Sequence, residues 1–113
     1  DPSVFQPKAH CLRKIQGWSM RDAGICDGDL VGIHLTPNVS PRQIAAVRVE
    51  DAQTGETTLT LKRIRKEGRR LILLSDHADQ KTYAPIVVDL RRQAVSIEGV
   101  FCGLIRPAGA VPK

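Results

Sequence analysis

The sequence predicts a mostly β fold in a single domain. Nine glycines and seven prolines interrupt short runs of β-branched and aliphatic residues along the 113-residue chain. No stretch keeps apolar residues at the spacing of an amphipathic helix for three turns, which argues against long helices. Between two of the runs stands Glu67-Gly68, which is typical of a tight β-hairpin because glycine readily takes a positive φ.

Seven segments show the residue preferences of β-strands. In chain order they are residues 11–16, 30–35, 44–50, 57–66, 69–74, 86–90 and 95–106. The fourth and fifth form the predicted hairpin across Glu67-Gly68. Gly99 and Gly103 interrupt the last segment, which indicates a bulge or a close approach by another backbone.

One short helix is expected between the first two strands, at residues 19–25. This segment has room for only one or two turns, and Ser19 stands where a helix N-cap would lie. The turn signal Asp27-Gly28-Asp29 follows and leads directly into the second strand.

Composition and cysteine count narrow the classes of protein to which this chain can belong. Apolar residues at 42%, charged residues at 26% and a mean hydropathy of -0.18 are typical of a folded globular chain. No apolar run approaches the ~20 residues needed to cross a bilayer, so we expect a soluble protein without a membrane partner. An odd set of three cysteines, Cys11, Cys26 and Cys102, favours a reducing compartment, and the cytoplasm is the expected location.

The net charge of +5 would suit nucleic acid or another acidic partner. Aromatic residues make up only 4% of the chain, which weakens the case for a single-strand binder.

No cofactor or metal site is predicted. His10-Cys11 lacks the further ligands of a zinc site, and Asp27 with Asp29 lacks the rest of a calcium loop. His34 and His77 have no recognisable partner pattern, so we interpret them as ordinary surface or partly buried histidines.

Six cations fall within the nine residues of the predicted hairpin arms: Lys62, Arg63, Arg65, Lys66, Arg69 and Arg70. A solvated hairpin tip protected against edge pairing accounts for the outer four. Lys62 lies deeper, on the strand face shared by Thr60 and Ile64, where burial would lower its pKa and leave a neutral amine.

A neutral lysine is a base, and Ser19 in Gly17-Trp18-Ser19-Met20 is the candidate nucleophile for it. The G-x-S-x-G pattern of α/β-hydrolases is excluded because Arg21 replaces the final glycine. A Ser-Lys dyad needs only these two side chains, with backbone N–H groups at the start of the short helix to bind an oxyanion. From the residues alone, a capping serine and a solvated lysine remain the commoner explanation.

Longer motifs favour the dyad. Residues 17–31, GWSMRDAGICDGDLV, resemble the G-x-S-M-x-D-x-G-I-x-D-G-D-L-V signature of the LexA repressor family and its self-cleaving relatives. Residues 59–64, LTLKRI, are similar to the strand that carries the family's lysine. The segments 83–90, YAPIVVDL, and 96–106, SIEGVFCGLIR, resemble two further strands of that family.

This resemblance implies a Ser-Lys peptidase, with Ser19 as nucleophile and Lys62 as general base. It implies a twisted, partly barrel-like β-strand domain of the LexA/signal-peptidase type with one short helix. Residues 1–113 would form a catalytic and dimerisation domain of a repressor of the DNA-damage (SOS) response. Such repressors cleave their own upstream Ala-Gly bond when an activated RecA filament binds.

The chain departs from the full-length pattern of that family. No Ala-Gly step precedes Ser19, and no winged helix-turn-helix is visible, so we interpret the chain as a fragment. Operator DNA is then a partner of the full-length protein only. Trp18 occupies a position where a smaller residue is expected, and could narrow the substrate cleft.

Dimerisation is expected through residues 95–105. This apolar run near the chain end predicts an edge strand, which would pair antiparallel with the same strand of a second copy. Two alternatives stay open. The chain could be a catalytically silent module for dimerisation or for binding an acidic partner, or it could belong to the related UmuD-type or phage-repressor proteins.

Overall fold

Seven antiparallel strands form the framework of the structure. A computed structural model describes residues 5–106. The strands are β1 (Cys11–Lys14), β2 (Leu30–Leu35), β3 (Ala45–Glu50), β4 (Thr57–Glu67), β5 (Arg70–Leu74), β6 (Ile86–Asp89) and β7 (Val95–Ile105). Each agrees within one or two residues with a predicted strand, because alternation and glycine punctuation mark strand limits well in this chain.

The strands form one sheet in the order β1-β2-β7-β3-β4-β5-β6. This confirms the mostly β prediction, and the sheet stays open instead of closing into a barrel. The predicted hairpin is also confirmed. Glu67 pairs with Arg70 across the turn, and Gly68 has a φ of 59°, a conformation that favours glycine.

Two apolar cores lie against the sheet, and β3 contributes to both. Ala45 and Ala46 are fully buried neighbours whose side chains point to opposite faces of the strand. Ala46 packs in one core with Met20, Ile25 and Leu61, and Ala45 packs in the other with strands β5 and β6. The first core therefore anchors the segment that follows Ser19.

The prediction that residues 95–105 form an edge strand is wrong. Strand β7 lies inside the sheet, paired with β2 over Gly99–Ile105 and with β3 over Val95–Val100. Its apolar residues serve the fold of one chain, since Phe101 and Leu104 pack against the first core. An apolar run on both strand faces is typical of a central strand as well as of an unprotected edge, and sequence periodicity does not separate the two.

The glycines of β7 act as predicted. Gly99 approaches β2 so closely that a Cβ atom there would collide with the carbonyl of His34. The register between β2 and β7 shifts beside Gly103, where Gly32 pairs with Gly103 and Ile33 pairs with Phe101. This shift is a β-bulge at Cys102.

The helix expected at residues 19–25 is reduced to a single 3-10 turn at Arg21–Ala23. Met20, not Ser19, occupies the N-cap position, and no side chain caps the turn. Gly24 ends it with a φ of 83°. Among residues 5–106 no helix is long and apolar enough to cross a membrane.

Candidate active site

Ser19 and Lys62 lie side by side, although 43 residues separate them in the chain. The amine Nζ of Lys62 is 2.9 Å from the hydroxyl Oγ of Ser19. Lys62 lies in the middle of β4, and its side chain is only 5% exposed. The structure therefore brings together the two residues that the sequence singled out, and Ser19 engages the amine instead of capping a helix.

The surroundings of the Lys62 amine favour its neutral form. Nζ also donates to Oγ1 of Thr60 at 3.0 Å and to the carbonyl oxygen of Leu61 at 3.2 Å. None of the ion pairs formed among residues 5–106 involves Lys62. Burial without a counter-charge lowers the pKa of Lys62 below its ordinary value.

The segment that carries Ser19, residues 15–29, connects β1 to β2 and is closed at its base, where it leaves β1 and enters β2. The amide of Ile15 donates to the carbonyl of Asp29 at 2.8 Å, and the amide of Gly28 donates back to Ile15 at 2.9 Å. The amide of Gly17 donates to Oδ1 of Asp27 at 2.7 Å. Asp27 and Asp29, predicted only to make a turn, thus hold the two ends of this segment together.

An ion pair between a buried aspartate and a partly exposed arginine fixes the far side of the same segment. Asp29 is fully buried and binds Arg106 through both oxygens, with Nε–Oδ1 at 2.8 Å and Nη2–Oδ2 at 3.0 Å. The amide of Cys26 also donates to Oδ2 at 2.8 Å. Hydrogen bonding to Arg106 lowers the pKa of Asp29 despite the opposing effect of burial. Sequence reasoning missed Arg106 because 77 residues separate the pair.

A cleft of about 230 Å³ opens beside Ser19. One wall includes Lys14, Gln16 and Gly17, and the other includes Thr58, Leu59 and Thr60. Strand β5 pairs with β4 only from Arg63 onward, so the first half of β4 has a strand neighbour on one side alone among the strands described. Trp18 is not among the residues that line this cleft.

The other candidate residues lie apart from this pair. The ring centroids of His10 and His34 are 4.5 Å apart, and those of His77 and Tyr83 are 4.3 Å apart, with the rings tilted in both pairs. Four cations of the hairpin are exposed at its tip, as predicted: Arg65, Lys66, Arg69 and Arg70. Within the described part of the chain, no group of three or more histidine, cysteine or acidic side chains could hold a metal ion.

Burial of Lys62 predicts a pH-dependent effect on stability. Its pKa is lowered in the folded chain and close to ~10.4 in the unfolded chain. Between these two values the unfolded chain binds more protons, so the free energy of unfolding rises with pH. Lys62→Met removes the free-energy cost of burying a charged amine, so the variant should be more stable than the wild type at pH 7. The difference in free energy of unfolding should shrink towards pH 10.

Urea unfolding at several pH values measures that difference. The matched control is Lys66→Met, which removes an exposed lysine from the same strand face. This control separates the effect of burial at Lys62 from the loss of a lysine as such. A constant difference for Lys62→Met would show that the Lys62 amine has an ordinary pKa.

Comparison with known proteins agrees with the motifs. The sequence model of the family described as Peptidase S24-like matches residues 1–102. The LexA repressor of Photobacterium profundum is 43% identical over 108 residues, which cover 96% of this chain and 52% of that protein. The LexA repressors of Pectobacterium carotovorum subsp. carotovorum and Edwardsiella ictaluri are each 44% identical over 106 residues.

Those two alignments each cover 94% of this chain and 48% of the relative. The chain thus spans about half the length of the curated relatives that it matches. Their similarity confirms the resemblance to LexA repressors drawn from the motifs. Because the family model covers nearly all of its length, the chain belongs to the peptidase S24-like family.

Proposed function

We propose that this chain is the catalytic domain of a LexA-type repressor, a Ser-Lys peptidase in which Ser19 is the nucleophile and Lys62 the general base. One observation carries the proposal. The Lys62 amine is buried without a counter-charge and lies 2.9 Å from the Ser19 hydroxyl. A structural lysine has little reason to occupy such a position, whereas a base must be neutral and within reach of the proton it accepts.

A neutral amine can satisfy all three partners of Lys62. Such an amine has two N–H bonds and one lone pair. The Leu61 carbonyl can only accept a hydrogen bond, and the Thr60 hydroxyl can accept the second. The lone pair is then left for the hydroxyl hydrogen of Ser19.

The reaction follows from this arrangement. Lys62 takes the hydroxyl proton as Ser19 Oγ attacks the carbonyl carbon of a peptide bond. The resulting ammonium then protonates the leaving nitrogen, the C–N bond breaks, and the carbonyl carbon stays bound to Oγ as an ester. Neutral Lys62 next takes a proton from water as the water oxygen attacks the ester carbon. The C–Oγ bond then breaks, the Lys62 ammonium returns the proton to Ser19 Oγ, and the acid is released.

The substrate we propose is an extended peptide. The cleft beside Ser19 runs along the half of β4 that lacks a β5 neighbour, so a peptide strand could lie there. In the full-length protein this peptide would be an upstream Ala-Gly segment, cleaved when an activated RecA filament binds. Residues 1–113 would form the catalytic and dimerisation domain, and operator DNA would bind elsewhere in the full-length protein.

The first test supplies the substrate in trans. Incubated at high concentration with a peptide that contains the family's Ala-Gly segment, the chain should cut at that bond. We expect slow cleavage, because a tethered substrate can have an effective concentration of about 10⁵ M or more. Mass spectrometry of the products identifies the bond.

Ser19→Ala separates the peptidase from a catalytically silent binding module. A peptidase loses cleavage and keeps its fold, which circular dichroism verifies. If the folded wild type leaves the peptide intact, the proposed dyad is wrong and the silent module is favoured, with the exposed basic hairpin tip as a surface for acidic partners.

The second test is the pH dependence of cleavage. Only the neutral amine can accept the Ser19 proton, so the rate should rise with pH through the lowered pKa of Lys62 and then level off. Lys62→Arg should reduce the plateau rate by about 10²–10⁴-fold, because a guanidinium stays protonated. Initial rates from pH 6 to 10 give the profile. A flat profile in the wild type would contradict Lys62 as the titrating base.

The third test concerns dimerisation. The side of β7 opposite β2 has no described strand beside Gly103–Ile105, and the Ile105 side chain is 43% exposed. These features support a two-fold contact at the end of β7. Ile105→Asp should convert a dimer into a folded monomer, because a charge cannot be buried in such a contact without cost.

Sedimentation at high micromolar concentration measures the state of association. Ile86→Asp is the matched control, since Ile86 is 48% exposed on β6 at another edge of the sheet. It should leave the dimer intact. A monomeric wild type would refute dimerisation by this chain.

A further inference from the structure

Arg63 differs from the other arginines of the hairpin, because it is bound to Asp76, a residue that contacts the Ser19 segment. Its Nη2 lies 2.9 Å from Oδ2 of Asp76, and its Nε lies 3.0 Å from the same oxygen. Its Nη1 donates to the carbonyl of Arg42 at 2.9 Å. Both side chains of the ion pair are about two-thirds buried, with exposed fractions of 32% and 28%.

The backbone of Asp76 holds the segment that carries Ser19. The amide of Asp22 donates to the carbonyl of Asp76 at 2.9 Å. The amide of Asp76 in turn contacts Sδ of Met20 at 3.3 Å, and Met20 is the residue directly after Ser19. Asp76 thus contacts the segment one residue and three residues beyond the nucleophile.

Strand β4 consequently reaches the Ser19 segment twice. Lys62 and Arg63 are consecutive, so their side chains leave opposite faces of the strand. Lys62 contacts Ser19 directly, and Arg63 acts through Asp76 on Met20 and Asp22. A shift of this segment away from β4 would lengthen the Ser19–Lys62 distance and would also break the contacts that Asp76 makes.

We propose that Arg63 and Asp76 are positioning residues, which hold the hydroxyl of Ser19 at hydrogen-bond distance from the amine of Lys62. The effect of this positioning on catalysis rests on the proposed function. A misplacement of about 1 Å can lower a reaction rate about 10²-fold, so loss of the ion pair should act on the turnover rate.

The principal variant is Arg63→Gln, and the matched control is Arg65→Gln. Arg65 lies two residues further along the same face of β4 and pairs with Glu67 at 3.1 Å, where both side chains are more than half exposed. Each variant removes one positive charge from the strand. Only Arg63→Gln removes a bond to Asp76, the residue that contacts the Ser19 segment.

Peptide cleavage by Arg63→Gln should fall about 10- to 100-fold in kcat at the pH plateau. KM should change little, and the midpoint of the pH profile should match that of Arg65→Gln. Arg63→Lys should recover part of kcat, because it keeps the charge and one donor for Asp76. A changed midpoint with a normal plateau would mean that Arg63 acts only on the pKa of Lys62, and would overturn the proposal.

Amide hydrogen exchange provides a readout that does not depend on cleavage. The Asp22 amide should exchange about 10-fold faster in Arg63→Gln than in Arg65→Gln, while amides of β2 and β7 keep their protection. Equal acceleration throughout the sheet would indicate a general loss of stability and would overturn the positioning role. If Arg63→Gln does not fold, Asp76→Asn replaces it, since this variant keeps the Asp76 backbone contacts and weakens only the ion pair.

The two proposals can fail separately. A wild type that cleaves no peptide contradicts the proposed peptidase, and the exchange of the Asp22 amide then still decides whether Arg63 holds the segment. An active wild type with normal kcat and normal Asp22 exchange in Arg63→Gln refutes the positioning role alone.

Discussion

An uncompensated buried amine is the constraint around which the rest of the structure is arranged. Lys62 is 5% exposed, and burial is the cause that lowers its pKa. A lysine in such a position costs stability unless it becomes neutral and finds hydrogen-bond partners. The fold supplies three oxygen partners, from Ser19, Thr60 and Leu61, and none of them is a carboxylate.

Two aspartates that hold the Ser19 segment are themselves paired with arginines. Asp29 is bound by Arg106, and Asp76 is bound by Arg63. The two arginine–aspartate pairs therefore help to fix the segment that carries Ser19.

The Ser19 segment is held from three directions, although it contains little regular structure. Hydrogen bonds of Ile15, Gly28 and Asp27 close its base, and Met20 and Ile25 are buried in the first core. Arg106 reaches the carbonyl of Gly24 from the end of β7. The position of Ser19 thus depends on both the neighbouring strands and β7, the last strand in the chain.

The sequence by itself determined the strands, the hairpin and the candidate pair Ser19 and Lys62. Strand positions follow from local alternation and glycine punctuation, and the positive φ of Gly68 is a local requirement of its turn. The pair was identified by motif resemblance, because a capping serine and a solvated lysine have the same local appearance as a dyad.

Tertiary structure alone decided which residues became neighbours. The sheet order inserts β7 between β2 and β3, so that a run predicted to be an edge became central. Contacts between distant parts of the chain also join Asp29 to Arg106, and they place Ser19 beside Lys62 instead of in a capping role. Periodicity reports which face of a strand is apolar, but the strand that lies beside it depends on packing between distant parts of the chain.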